Sequence, residues 1–329
     1  MRQRKTNRKQ RGLSMRDAGT VAGLLLMGAV IAYCVVTFMG TPARTTMAGS
    51  AELALRSDAR STGPPTSPRT APLTSHTDPA WLRAHARRGG ASLFPLHGPV
   101  IAIVIDDLGN DVAGTRRAIA LPKEVTLSFL PYPDTTAQLA REAIRAGHQI
   151  LVHVPMQPVG TEDAGPMALR TDLPAEENVH RLDWALSRVP GFSGINNHMG
   201  SRFTADRDAL LPVMTDIAAR RVLFLDSRTT SNSQVVALAQ SLGVTSAARD
   251  VFLDDEITSA NVADELRIAE AHARQGGVSI AIGHPHPETL AALERWINDR
   301  NPRRVILVDV GDAIRLRAAH AALRSQITQ

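Results

Sequence analysis

The chain has 329 residues, enough for one large domain of roughly 200–250 residues with further segments around it. Its formal net charge is +5, but Arg2, Arg4, Lys5, Arg8, Lys9, Arg11 and Arg16 crowd one end, directly before an apolar run. A charge placed there is topogenic before it is anything else, so no nucleic-acid partner is expected. The only cysteine, Cys34, excludes a disulfide within the chain, so stability must come from a packed core.

Residues 1–17 form the basic segment. Ala18 to Ala43 carries no charge and is long enough to span about 30 Å of hydrocarbon as a helix. Positive charge before such a span holds the N-terminus in the cytoplasm and sends the chain beyond the span across the membrane. The expectation is a single-pass inner-membrane anchor over 18–43, with the remaining chain in the periplasm. The alternative is a cleaved signal peptide, for which Ala48-Gly49-Ser50-Ala51 offers small residues, leaving a secreted periplasmic form. Residues 44–97 are rich in Thr, Ala, Pro, Ser and Arg, as in Ser61-Thr62-Gly63-Pro64-Pro65, and have the composition of a flexible linker.

The folded domain is expected over 98–318, with a tail over 319–329. Its first element is Val100 to Ile105, a continuous apolar run trailed at once by Asp106 and Asp107 and soon stopped by Gly109. A short run rich in Val and Ile predicts a strand buried on both faces. In α/β folds, ligands sit at the carboxyl ends of such strands, which is where the two acids stand. The plainer alternative is that one acid caps the next helix and the other is solvated.

Further candidate strands fall at 124–130, 149–154, 193–197, 222–226, 244–248, 277–282 and 304–309. Amphipathic stretches lie between most of them. Thr135 to Ala146 places Ala137, Leu139, Ala140, Ala143 and Ile144 on one helical face, and Pro174 before Ala175-Glu176-Glu177 predicts a helix start. Alternating βα units in this number indicate a parallel sheet closed, or nearly closed, into a barrel; an open doubly wound sheet is the alternative. No Gly-x-Gly-x-x-Gly or Walker-type loop comes after the first strand, which argues against a nucleotide site.

Polar residues recur where the strands end: His153 and Gln157, then Asn196-Asn197-His198, then Asp226, then His284 and His286. A lone histidine at a strand end is usually structural. Several strand ends delivering Asp and His to one rim make the kind of donor set that Zn²⁺ or a similar ion uses.

These motifs resemble the divergent polysaccharide deacetylase family, a branch of the NodB-like carbohydrate esterases, over residues of about 98 to 315. Ile105-Asp106-Asp107 is similar to the superfamily's Asp-Asp pair. Gly147-His148-Gln149-Ile150-Leu151-Val152-His153 is similar to its Gly-His-x-Ile-x-x-His motif, but Gln157 stands where a second ligand His is usual. The resemblance implies a distorted (β/α) barrel of seven to eight parallel strands. It implies Asp106 as general base, Asp107 and His153 as metal ligands with His198 supplying the missing one, and a divalent metal, first of all Zn²⁺. It also implies His284 as general acid, with His286 competing for that place, and Asp226 as the acid that orients or tunes it.

The activity implied is metal-dependent removal of acetyl groups from a cell-envelope polysaccharide or a peptidoglycan-type glycan. The alternative is a catalytically inactive glycan-binding or scaffold protein of the envelope, which would need neither a general base nor a general acid.

Overall fold

The computed structural model describes residues 98–302 and 304–327. The anchor expected over 18–43 and the linker over 44–97 lie outside the described residues. Among the described residues, no helix is long and apolar enough to cross a membrane.

Among the described residues nine strands form one sheet: β1 (Val100–Leu108), β2 (Thr126–Phe129), β3 (Ile150–Met156), β4 (Gly194–Met199), β5 (Leu223–Asp226), β6 (Ser246–Ala248), β7 (Val251–Phe252), β8 (Val278–Gly283) and β9 (Ile306–Leu307). Eight helices of the described residues alternate with them: α1 (Val112–Ile119), α2 (Thr136–Ala146), α3 (Ala175–Arg188), α4 (Arg207–Arg220), α5 (Val235–Leu242), α6 (Ser259–Gly276), α7 (Pro287–Asp299) and α8 (Val310–Ile327). The strand over 251–252 is absent from the sequence expectation because two residues show no period. α8 continues past residue 318, where a tail was expected to begin.

Every pairing is parallel, in the order β6-β5-β4-β3-β2-β1-β8-β7. β9 pairs with the first residues of β1, below the stretch of β1 that pairs with β2. The edge strands β6 and β7 are joined only by Arg249 and Asp250. Ala248 and Val251 are three Cα steps apart, no more than about 11 Å, so the sheet must curl until its two edges nearly meet.

The linking pair bridges that seam. Arg249 N–H donates to the Asp226 carbonyl on the β5 side, and Asp250 N–H to the Ile280 carbonyl of β8. From α8, Arg317 donates to the Ala248 carbonyl and pairs with the Asp250 carboxylate, tying the seam from a third side.

Strand parity divides the core into two layers. Ile101, Ile103 and Ile105 join the cluster formed with the helices, together with Val152, Val154, Ile195 and Phe224. Val100, Ala102 and Val104 join the inner cluster with Leu151, Leu225, Ile280 and Ile282, into which α8 inserts Val310, Ala313 and Ile314. Residues 100–105 are all at most 1% exposed, and burying each Val or Ile favours folding by roughly 1.5–3 kcal/mol over leaving it in water. Such a strand cannot shift by one residue without exchanging every side chain between the layers. That fixes which polar residues reach the rim of the interior.

Candidate metal centre

Parity carries Asp106 inward after Val104, His153 inward after Leu151, and Asn196 and His198 inward along β4. Asp107 has the opposite parity and should face the helices. Its backbone instead takes a left-handed conformation, φ 57°, where the β1–β2 register shifts between Ile105 and Leu108. That irregularity turns the second carboxylate back to the site beside the first. Such a φ disfavours a side chain by about 1–2 kcal/mol.

Met199 at the end of β4 (φ 53°) and Arg228 just past β5 (φ 53°) share this conformation, so three of the strand ends around the site are bent in the same way. The next helix is capped by Asp111 and not by either of the paired acids; the Asp111 carboxylate accepts from the N–H groups of Ala113 and Gly114. Asp106 and Asp107 are left for the site.

One amide orders the interior. Asn196 Nδ2 lies 2.8 and 2.9 Å from the two oxygens of Asp106, and an ionised carboxylate can only accept, so the NH2 group must face it. Asn196 Oδ1 therefore faces Ser128 Oγ at 2.6 Å and His153 Nδ1 at 2.9 Å. In neutral His153 the proton then sits on Nδ1, and the Nε2 lone pair points to Asp107.

His153 Nε2 and His198 Nδ1 lie 3.2 and 2.9 Å from Asp107 Oδ1. Neither is aligned as a hydrogen bond, and this buried oxygen has no donor. A carboxylate oxygen at that distance from two imidazole nitrogens is balanced either by a proton on an imidazole or by a metal cation shared among them. The three ligand atoms lie within 4.8 Å of one another, and a carboxylate with two imidazoles is a donor set that fits a divalent metal.

The charges agree. Burial works to raise the Asp107 carboxyl, but the two imidazoles beside it outweigh burial and hold it well below the usual carboxylate range. Burial works to lower His153, and the carboxylates of Asp106 and Asp107 more than reverse this.

His284 comes directly after β8 and faces the same space, with Nε2 3.9 Å from Asp107 Oδ2. Its Nδ1 lies 3.0 Å from Asp254 Oδ1, while Asp254 Oδ2 accepts from the His284 N–H and from the Thr289 hydroxyl. Burial alone would lower this imidazole; Asp254 and then the more distant Asp107 and Asp106 push it up to about 9. His286 approaches His284 only ring to ring, with centroids 6.0 Å apart. A second grouping of Asp254, His284 and His286 has metal-like spacing, but its carboxylate is already supplied with donors.

The structure thus brings together five of the six residues expected from the sequence: Asp106, Asp107, His153, His198 and His284. The sixth, Asp226, is not the acid on His284; Asp254 takes that place. Asp226 lies two residues after Phe224, whose parity is outward, and it accepts instead from the Arg228 N–H. Burial raises its carboxyl above the ordinary range.

Gln157, which stands where the resemblance has a second ligand histidine, turns to a loop. Its Oε1 accepts from the N–H and hydroxyl of Thr171. His148 of the same motif is buried between the carbonyls of Val125 and Ile119, 2.8 and 2.9 Å from its two ring nitrogens, and is a structural tie. Asn196 and Asp254 were missed as site residues. Asn196 has the inward parity of His198, a signal present in the sequence; Asp254 comes after the two-residue β7, which gives none.

An all-parallel curled barrel with paired acids at the end of its first strand and inward histidines on the third and fourth defines a rim-sited Asp/His protein of the α/β class. The chain belongs to the divergent polysaccharide deacetylase family, whose pattern matches residues 103–314. It is 35% identical over 216 residues to the uncharacterized protein YibQ of Escherichia coli (strain K12), covering 64% of this chain and 68% of that one. A Haemophilus influenzae (strain ATCC 51907 / DSM 11121 / KW20 / Rd) protein is 35% identical over 212 residues, covering 64% of this chain and 75% of its own length. Among solved structures, the uncharacterized protein ATU2773 from Agrobacterium tumefaciens C58 superposes with a TM-score of 0.63 at 34% identity, over 65% of this chain and 88% of that one.

Proposed function

We propose that this protein is a metal-dependent hydrolase that removes acetyl groups from a cell-envelope glycan. In this reading it is anchored in the inner membrane by residues 18–43, with the barrel in the periplasm. The observation that carries the catalytic part is the donorless Asp107 Oδ1 between two imidazole nitrogens, set beside a separate carboxylate and a separately supported histidine.

Asp107, His153 and His198 would hold the ion, with Zn²⁺ the first choice for this donor set. When bound, such an ion polarises a carbonyl and lowers the pKa of water. Asp106, its carboxylate fixed by the Asn196 amide, is placed to take the proton from the attacking water. His284, held by Asp254 with its proton retained at neutral pH, is placed to hand one to the departing amine or alcohol. An inactive binding protein would need neither the base nor the acid. A polar cleft of about 310 Å³ beside the end of β3, lined by Gln157, Glu162, Asp163, Arg170 and Arg181 among others, offers hydrogen-bonding groups of the kind a glycan uses.

The test joins metal analysis of the purified protein to acetate release from peptidoglycan fragments and chitooligosaccharides. Stoichiometric metal with acetate release by wild type and not by Asp106→Asn is expected; metal-loaded protein that releases no acetate from any acetylated glycan would overturn the reading. A reporter active only in the cytoplasm, fused after Gln329, is expected to be silent, and activity there would overturn the placement of the barrel.

A further inference from the structure

Ion-pair partners are common among the arginines of this domain: Arg116, Arg117, Arg181, Arg220 and Arg317 each have a carboxylate within 4.0 Å. Among the described residues Arg249 has none, although it is half-buried at the seam of the barrel. Its Nε donates to the Ser227 carbonyl at 2.8 Å and its Nη2 to the Arg228 carbonyl at 3.2 Å, which fixes the guanidinium plane and leaves Nη1 without an acceptor among the described residues. The neighbouring Arg228 is exposed and likewise has no carboxylate partner among the described residues.

The nearby acids are committed elsewhere. Asp106 is bound by Asn196, Asp226 by the Arg228 N–H, and Asp250 by the Ile280 N–H and Arg317. Burial first, and then the charge of Arg228, depress the Arg249 guanidinium below its ordinary value despite those acids. Two adjacent cations, one fixed and partly desolvated, repel each other with no carboxylate within 4.0 Å of either among the described residues, and an anionic ligand would relieve that repulsion.

Their place relative to the chemistry is set by two contacts. The Arg249 guanidinium carbon lies 4.8 Å from the centre of the Phe252 ring, and Phe252 meets the His284 imidazole edge to face at 5.4 Å. Phe252 thus links the Arg249 guanidinium to His284 on the β7–β8 side of the site.

We propose that Arg249 and Arg228 form an anion subsite, and that the glycan deacetylated here carries an oxyanion, a carboxylate or a phosphate, on or next to the sugar that bears the acetyl group. This rests on the deacetylase reading for what is transferred, but not for what is bound. A guanidinium held by its Nε and one Nη presents the remaining N–H groups in a fixed direction, and arginine suits carboxylate and phosphate because its donors lie in one plane.

The test compares equilibrium binding of length-matched oligosaccharides to the zinc-loaded protein. One is a neutral N-acetylglucosamine oligomer, one contains N-acetylmuramic acid, and one is the neutral oligomer phosphorylated. Wild type is expected to bind at least one acidic glycan about tenfold or more tightly than the neutral one, with the preferred acid naming the anion. Arg249→Gln and Arg228→Gln should each reduce that acidic-to-neutral ratio severalfold, and the double variant should abolish it. Arg249→Lys should restore only part, since the charge returns without the fork.

Because Arg249 also helps to close the seam, each variant's thermal unfolding is recorded; Arg228→Gln, at an exposed position, decides the matter if Arg249→Gln does not fold. Equal affinity of wild type for acidic and neutral glycans, or an unchanged ratio in Arg228→Gln and the double variant, overturns the subsite. A retained acidic preference with no acetate released from any of the glycans supports the subsite while overturning the deacetylase reading.

Discussion

Two carboxylate–histidine arrangements face each other across the rim, and they are built in opposite ways. On the β8 side, Asp254 accepts from His284 Nδ1–H, the His284 N–H and the Thr289 hydroxyl, so its charge is distributed over aligned donors. On the β1 side, Asp107 Oδ1 stands within 3.2 Å of two imidazole nitrogens and has no aligned donor at all. The same residue types at similar distances thus prepare different chemistry. A satisfied carboxylate keeps a proton on its histidine, whereas an unsatisfied one, with lone pairs converging on it, prepares a place for a cation.

The sharpest way to break this contrast is to remove the unsatisfied side. Asp107→Ala and His153→Ala should each lose most bound metal, measured by elemental analysis after dialysis, and acetate release with it. His198→Ala should also lose metal; unchanged content there would remove the third ligand from the assignment. Next in size, Asp106→Asn keeps the shape and the metal but removes a proton acceptor, and acetate release should fall by about 10²–10⁴. Loss of metal in that variant would make Asp106 a ligand rather than a base.

The satisfied side can be sharpened without catalysis, in metal-free protein. Against burial, Asp254 pushes His284 up to about 9 from an ordinary value of 6.5, so its contribution to stability is fully present below about pH 6.5 and is lost as pH rises through about 9. In Asp254→Asn the imidazole should titrate lower by NMR, and the fall in unfolding free energy over that window should flatten. An unmoved His284 titration would show that Asp254 does not hold its proton. Smallest of all, Gln157→Ala should leave metal content unchanged. It should cost about 1–2 kcal/mol in urea unfolding through the two lost Thr171 bonds.

Most of the β1 side was legible in the sequence because it lies on long, strongly apolar strands. Val100 to Ile105 announces both the strand and the acids after it, and Leu151 to His153 does the same for the third strand. The bend that lets Asp106 and Asp107 reach one site is a requirement that strand alternation imposes, and the left-handed φ at Asp107 meets it. Less could be read of the opposite side. β7 is two residues long and gives no periodicity, so Asp254, just beyond it, went unseen, and Asp226 took its place in the expectation. Parity counts against Asp226, since it lies two residues after the outward Phe224. The resemblance to a family motif weighed more than that count, and here the count was the better guide. Gln157 shows the reverse: the residue that departs from the motif is at work in a loop, held by Thr171.

The seam between β6 and β7 has a consequence for how the domain behaves in company. A sheet that does not close has two edges, and an exposed edge is a template on which another chain can add a strand. Here the edges are only three and two residues long, and the backbone between them is already engaged by β5, β8 and Arg317. A stranger finds almost no row of free N–H and C=O groups to pair with. An unclosed barrel is thereby protected against edge-to-edge association in the crowded envelope proposed for it, and Arg317, on a helix far along the chain from either edge, is one of its guards.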